Sequence, residues 1–185
     1  IDVEDVDIME YLVSLKVDIN HENSLGETPL IYAAKQGKSN FVLEKLIGLG
    51  ADPLKETTEE KTTAILEGVR YGQITVVKFL LSLTEFQVDL SNSAGITPLN
   101  AAIAAKNNKM IESLIASGEG VNFENTEHRT PLILACDAGY STCVECLIKN
   151  GADVNLETRY GFFPLLVAAV ANSTDCIELL VQHGA

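Results

Sequence analysis

The chain has 185 residues, is 46% hydrophobic and carries a net charge of −13 from 26 acidic against 13 basic residues. A surface so negative repels phosphate backbones and anionic lipid unless a local basic stripe overrides it, and no stripe occurs, which argues against a nucleic-acid or membrane partner. No apolar run approaches the roughly 20 residues that span a bilayer, and the opening Ile1-Asp2-Val3-Glu4-Asp5 is acidic where a signal peptide is basic, so an intracellular protein, cytoplasmic or nuclear, is expected.

Along the chain one phrase returns five times, as Thr28-Pro29-Leu30, Thr63-Ala64-Ile65, Thr97-Pro98-Leu99, Thr130-Pro131-Leu132 and Phe163-Pro164-Leu165. Its middle residues stand at 29, 64, 98, 131 and 164, so the intervals are 35, 34, 33 and 33. A fixed period of this length marks a stacked repeat protein. Residues 1–20 form a partial copy, in which Asp7-Ile8-Met9-Glu10-Tyr11-Leu12-Val13 reads as a second helix leading into Asp18-Ile19-Asn20. The acidic run Asp2, Glu4, Asp5, Asp7 and Glu10 reads as a solvated helix start.

Full copies follow at about 21–54, 55–89, 90–122, 123–155 and 156–185, within one continuous domain. The interval of 35 places one extra residue between Gly37 and Gly50 and another in the polar stretch Leu54–Lys61, which predicts a longer, mobile finger there. The interval of 34 places one near Leu83-Thr84-Glu85-Phe86. In the copy at 55–89, Ala64 replaces the proline and Gly68-Val69 replaces an alanine pair, which predicts a locally softer repeat. Lys106 and His128 stand where glycine is usual, and Phe163 replaces the capping threonine. The partial opening and the uncapped end at His183-Gly184-Ala185 suggest a fragment of a longer protein, or a chain whose ends pair with something.

The copy at 130–155 shows how each unit is built. Thr130 can cap a helix that Pro131 starts, because a proline loses no hydrogen bond at the first helical position. Leu132, Leu134, Ala135 and Cys136 give about two turns of apolar, partly small side chains, and Gly139 supplies the left-handed residue that ends them. Cys143, Val144, Leu147 and Ile148 recur at the spacing of a second amphipathic helix, closed by Gly151 before Ala152-Asp153-Val154-Asn155 turns outward. In Asp-x-Asn the short polar side chains are expected to bond their own backbone.

With these residues on the page, nearly the whole chain resembles the ankyrin repeat family. The resemblance implies an all-α solenoid of stacked helix-turn-helix units with β-hairpin or loop fingers. It further implies a monomeric, non-catalytic scaffold that binds a protein or peptide in its concave groove, without a cofactor. An alternative is a regulatory segment that acts in cis within a larger enzyme or channel. Fingers of this type can also be substrates of an asparaginyl hydroxylase, and Asn155 and Asn20, eight residues after Leu147 and Leu12, fit that preference.

No catalytic constellation appears: there is no glycine-rich phosphate loop, no His-Glu-x-x-His and no Gly-x-Ser-x-Gly. Cys143-x-x-Cys146 has a metal-like spacing, but Cys143 and Cys176 share a repeat position held by Val76 and Met110 in other copies, so the cysteines read as small core residues and no metal is expected.

For the groove, the resemblance points to the two residues before each finger glycine position, the one before the cap, and the two before the first-helix glycine. These include Glu27, Thr62, Ile96, Arg129 and Phe162 before the caps, and Arg70, Tyr71, Arg159 and Tyr160 elsewhere. All three arginines of the chain fall on this set of 25 positions, together with aromatic and apolar side chains. Arginine and aromatics are enriched where binding energy concentrates. The candidate partner-binding residues are therefore Arg70, Tyr71, Ile96, Arg129, Arg159, Tyr160 and Phe162. An apolar anchor is expected near Ile96, Tyr160 and Phe162, with an acidic or carbonyl-rich segment at Arg129 and Arg159.

Overall fold

The computed structural model describes residues 17–83, 91–118 and 120–185, and among these every regular element is an α-helix. The chain divides into two units, residues 1–85 and 86–185. The first holds α1 (Pro29–Lys35), α2 (Asn40–Gly48), α3 (Ala64–Arg70) and α4 (Ile74–Leu83). The second holds α5 (Pro98–Ala104), α6 (Asn108–Ala116), α7 (Pro131–Asp137), α8 (Ser141–Lys149), α9 (Pro164–Val170) and α10 (Thr174–Gln182). The helix expected at 7–13 falls outside the described residues, as does all but Leu83 of the stretch where the interval of 34 places its extra residue.

Each first helix begins as its phrase dictates. The hydroxyls of Thr28, Thr63, Thr97 and Thr130 accept from the backbone N–H three residues on, at 3.1–3.4 Å, whereas Phe163 gives α9 no side-chain cap. Such a cap is worth about 1 kcal/mol. Each first helix also ends alike, because a residue with positive φ lets its own N–H and the one after it turn back onto the last carbonyls. Gly139 (φ 60°) donates to the Cys136 carbonyl and Tyr140 to that of Ala135, at 3.1 and 2.9 Å. Lys106 (φ 50°) and Asn172 (φ 55°) hold the same position and make the same pair of bonds. A side chain there costs conformational energy that glycine avoids. Lys106 and His128 thus carry the strain expected of them, while Lys61 and Asn172 share it without having been singled out.

The core lies between the paired helices. Leu30, Ile31 and Leu43 are fully buried in the first unit, and Leu99, Ile103, Met110, Ile111, Leu114, Leu132, Ile133, Leu147 and Leu180 in the second. Cys136, Cys143 and Cys176 are buried with them and all four cysteines are free thiols; burial pushes the Cys136 and Cys143 thiols up to about 12. In the copy expected to be soft, α3 is buried from Ala64 to Val69. Gly68 lets the helices approach closely there, since an added Cβ would meet a Val77 methyl on α4 at 3.0 Å and push it aside by a few tenths of an ångström.

The extra residues of the long copy sit where the intervals place them. Two residues, Lys38 and Ser39, separate Gly37 from α2, where Tyr140 alone separates Gly139 from α8. The next finger, in the copy at 55–89, closes from the Thr57 N–H to the Thr62 carbonyl, one residue longer than Asn23 to Glu27 or Asn125 to Arg129.

Neighbouring repeats are stitched by fingers as well as by helices. Asn20 donates its amide to the Gly50 carbonyl and accepts from Asp52 N–H, and Asn122 does the same with Gly151 and Asp153. Asn155 donates to the Gly184 carbonyl. The expectation that both residues of Asp-x-Asn serve their own backbone is therefore corrected: the aspartates do, as in Asp153 accepting from Asn155 N–H, but the asparagine amides reach across to the next repeat. The cause is register, because stacking sets the next helix end within reach of the outward amide.

Candidate functional site

In the second unit three fingers repeat one turn. Backbone N–H groups of Asn92, Asn125 and Thr158 donate to the carbonyls of Ile96, Arg129 and Phe162, and the side-chain oxygens of the same three residues accept from the N–H groups of those partners. The turn needs positive φ at its third position, met by Gly95 (75°), His128 (57°) and Gly161 (77°). Ile96, Arg129 and Phe162 are thereby set in the same place on successive fingers.

Ile96 and Phe162 are 44% and 38% exposed, and Tyr160 is 66% exposed, so apolar and aromatic surface does face solvent as expected. Arg129 lies over the Phe162 ring, 5.8 Å from its centroid. Its charge is already matched, with Nη1 2.9 Å from Asp137 and Nε 3.9 Å from Glu127. Arg159 differs: its one hydrogen bond is from Nη1 to His128 Nε2 at 3.4 Å, with no carboxylate in ion-pair range among the described residues. The His128 ring meets Tyr160 edge-on at 5.0 Å, and its Nδ1 lies 3.2 Å from Glu124. The fold thus joins Arg129 to Phe162 and Arg159 to Tyr160 through His128, which was read from sequence only as a strained glycine replacement.

The first unit makes the same turn at Asn23–Glu27, but it buries the residue before the cap. Glu27 and Thr62, expected to be exposed, are buried. The residue before the cap folds back onto its own first helix: Glu27 accepts from Lys35 Nζ at 2.6 Å, and the Thr62 hydroxyl donates to Glu67 at 3.1 Å. The Lys35 ammonium, bonded to Glu27, holds that carboxyl below its ordinary range, and Lys35 is raised in turn. Glu27–Lys35 and Arg129–Asp137 span the same two repeat positions with the charges exchanged. Arg70 is paired with Glu60 at 3.0 Å and Glu67 at 3.3 Å, and Tyr71 is half-exposed with Lys35 Nζ 5.2 Å from its ring centre. Of the first-unit candidates, Tyr71 alone offers surface not already engaged by an ion pair.

These features define a helical repeat protein whose capped helix pairs carry a row of turn-built fingers. The family model for ankyrin repeats, in three copies, matches residues 2–94 and 99–185, and the chain belongs to the ankyrin repeat family. Among curated proteins it is 31% identical over 125 residues to alpha-latrocrustotoxin-Lt1a of Latrodectus tredecimguttatus, covering 68% of this chain and 9% of the toxin. It is 30% identical over 103 residues to the tyrosine-protein kinase Shark of Drosophila melanogaster, covering 50% of this chain and 11% of the kinase. The chain thus spans about a tenth of the length of these relatives. Its fold is similar to the solved ankyrin repeat domain of Bcl-3, a member of the IkappaB protein family, with a TM-score of 0.85 at 23% identity over 97% of this chain and 80% of that one.

Proposed function

We propose that this chain is a non-catalytic protein-binding module whose contact surface in the second unit is formed by Ile96, Arg129, Arg159, Tyr160 and Phe162. Ankyrin repeats in general mediate protein–protein interaction, so the family supports binding and the surface chemistry supports the place. The observation that carries the assignment is the exposed apolar surface of Ile96, Tyr160 and Phe162 on the fingers either side of the one that carries Arg129, together with an arginine, Arg159, that has no carboxylate in ion-pair range among the described residues, in a chain of net charge −13. An acidic group on the partner would supply the missing charge, and an apolar side chain beside it would cover Tyr160 and Phe162. Arg70 and Tyr71 form the analogous, more self-satisfied contact of the first unit. The intracellular setting and the monomeric state belong to the same proposal.

Proximity labelling to identify a partner, followed by affinity measurement, tests it. Arg129→Glu with Arg159→Glu should weaken binding at least about tenfold, the size of one lost hot-spot contact. Because Arg129 is already paired, Arg159→Glu alone should cause most of the loss. Unchanged affinity in the double variant refutes the surface.

A second reading is favoured by the relatives, in which the matching stretch is about a tenth of a long protein. On that reading the same surface docks in cis onto another part of a larger chain. The full open reading frame distinguishes the two.

A further inference from the structure

One substitution pair separates the finger carrying His128 from its neighbours. At Gly95 an added Cβ would collide with the side chain of Thr126 on the next finger, whose hydroxyl donates to the Ala94 carbonyl. One repeat later His128 holds the glycine position and Arg159 the threonine position, and the two side chains meet at 3.4 Å. The position thus aims its side chain at the following finger, and here it carries an imidazole against a guanidinium.

A guanidinium only donates, so Nε2 must offer its lone pair; Nδ1 then carries the hydrogen and donates to Glu124. The observed contacts therefore belong to the neutral ring. A proton on Nε2 would set two donors and two positive charges face to face, while strengthening the bond from Nδ1 to Glu124. The ring stays with Glu124 and the guanidinium is released. Glu124, Arg159 and Tyr160 are the titratable or charged groups in contact with the ring. The same two fingers also carry Glu127 and Arg129, which face each other at 3.9 Å, and Glu157. The preceding finger, residues 91–96, carries no titratable side chain.

We propose that His128 is a proton-operated latch on Arg159: the neutral ring holds the guanidinium, and protonation frees it so that His128 and Arg159 together grip an anionic side chain of the partner. This deepens the binding surface proposed above and rests on it. By linkage, an anion that gains from the imidazolium must bind more tightly as that ring charges, and the coupling between such sites is typically about 5- to 150-fold.

The test needs no identified partner. Sulfate is the probe, since its own charge is constant from pH 8 to 5. NMR of the 185-residue chain follows the Arg159 side-chain signals between pH 8 and 5, and their response to sulfate at each end. In the wild type the Arg159 signals should move in step with the His128 ring, and sulfate affinity read at Arg159 should rise at least about fivefold on acidification. His128→Asn, which tolerates positive φ and does not protonate, should keep the fold and reduce that rise below about twofold. An equal pH response in wild type and variant, or Arg159 signals that ignore the ring, overturns the latch while leaving the binding surface intact. If the latch behaves as expected but Arg159→Glu leaves partner affinity unchanged, only the partner grip and the binding surface fail.

Discussion

Asn100 offers a measurable test of how strictly the repeat positions share one environment. It lies on α5, is only 7% exposed, and neither its amide nitrogen nor its amide oxygen has a hydrogen-bond partner among the described residues. The same position in other copies holds Ile31, Leu66, Ile133 and Leu166, and Ile31 and Ile133 are essentially inaccessible. Leaving a buried polar group unsatisfied costs about 1–3 kcal/mol. Asn100→Leu removes two such atoms and buries more apolar surface, offset by roughly 1 kcal/mol or more of crowding in a cavity shaped for an amide. A net stabilisation of about 2 kcal/mol is expected, raising the melting temperature of a chain this size by roughly 4–8 °C. Urea unfolding followed by far-UV circular dichroism measures it, with the midpoint rising at unchanged slope. Asn100→Ala separates the contributions, since it removes the amide without crowding and should be near neutral. A lower midpoint for Asn100→Leu with an unchanged slope, or a loss of more than about 1 kcal/mol in Asn100→Ala, would show that the amide is satisfied and the reasoning wrong.

Three further outcomes follow from the geometry. Asn122→Ala removes the bonds to Gly151 and Asp153 and should destabilise by about 1–2 kcal/mol, read as a lower urea midpoint, while Asn122→Asp should recover little because it cannot donate to the carbonyl. Ellman's reagent at pH 7.5 should modify half-buried Cys146 first, with Cys136, Cys143 and Cys176 reacting only on unfolding; rapid modification of all four in the native state would contradict their burial. The Glu27–Lys35 pair sets an acid limb. A carboxyl held by the Lys35 ammonium below the ordinary range of a glutamate adds stability above that range and loses it as pH falls through its lowered folded value. Glu27→Gln should therefore flatten the fall in urea midpoint below pH 4.5, and an identical acid limb in the variant would remove the pair from the account.

The fold was legible because its determinants are local and recur. Thr-Pro caps, helix-ending glycines and paired apolar faces each act within a few residues, and five copies repeat the message. Even the sites of two inserted residues followed from the intervals, because turns absorb an extra residue more easily than helices do. The contact surface was legible only in part. Position within the repeat correctly exposed Ile96, Tyr160 and Phe162 of the proposed surface, but it wrongly exposed Glu27 and Thr62. Both errors arise from pairing across five to eight residues, from finger to first helix, where either order of charge serves equally well.

By itself, then, the sequence determined the repeat, its register and the elements within each copy, since these rest on backbone propensity and on apolar spacing along a single strand of chain. Tertiary structure alone decided which charges are spent. Arg70 and Arg129 are matched by carboxylates while Arg159 is left to His128, and the outward asparagines reach the following repeat. Those outcomes depend on which side chains stacking brings within about 3 Å of one another, a distance that spacing along the chain does not specify.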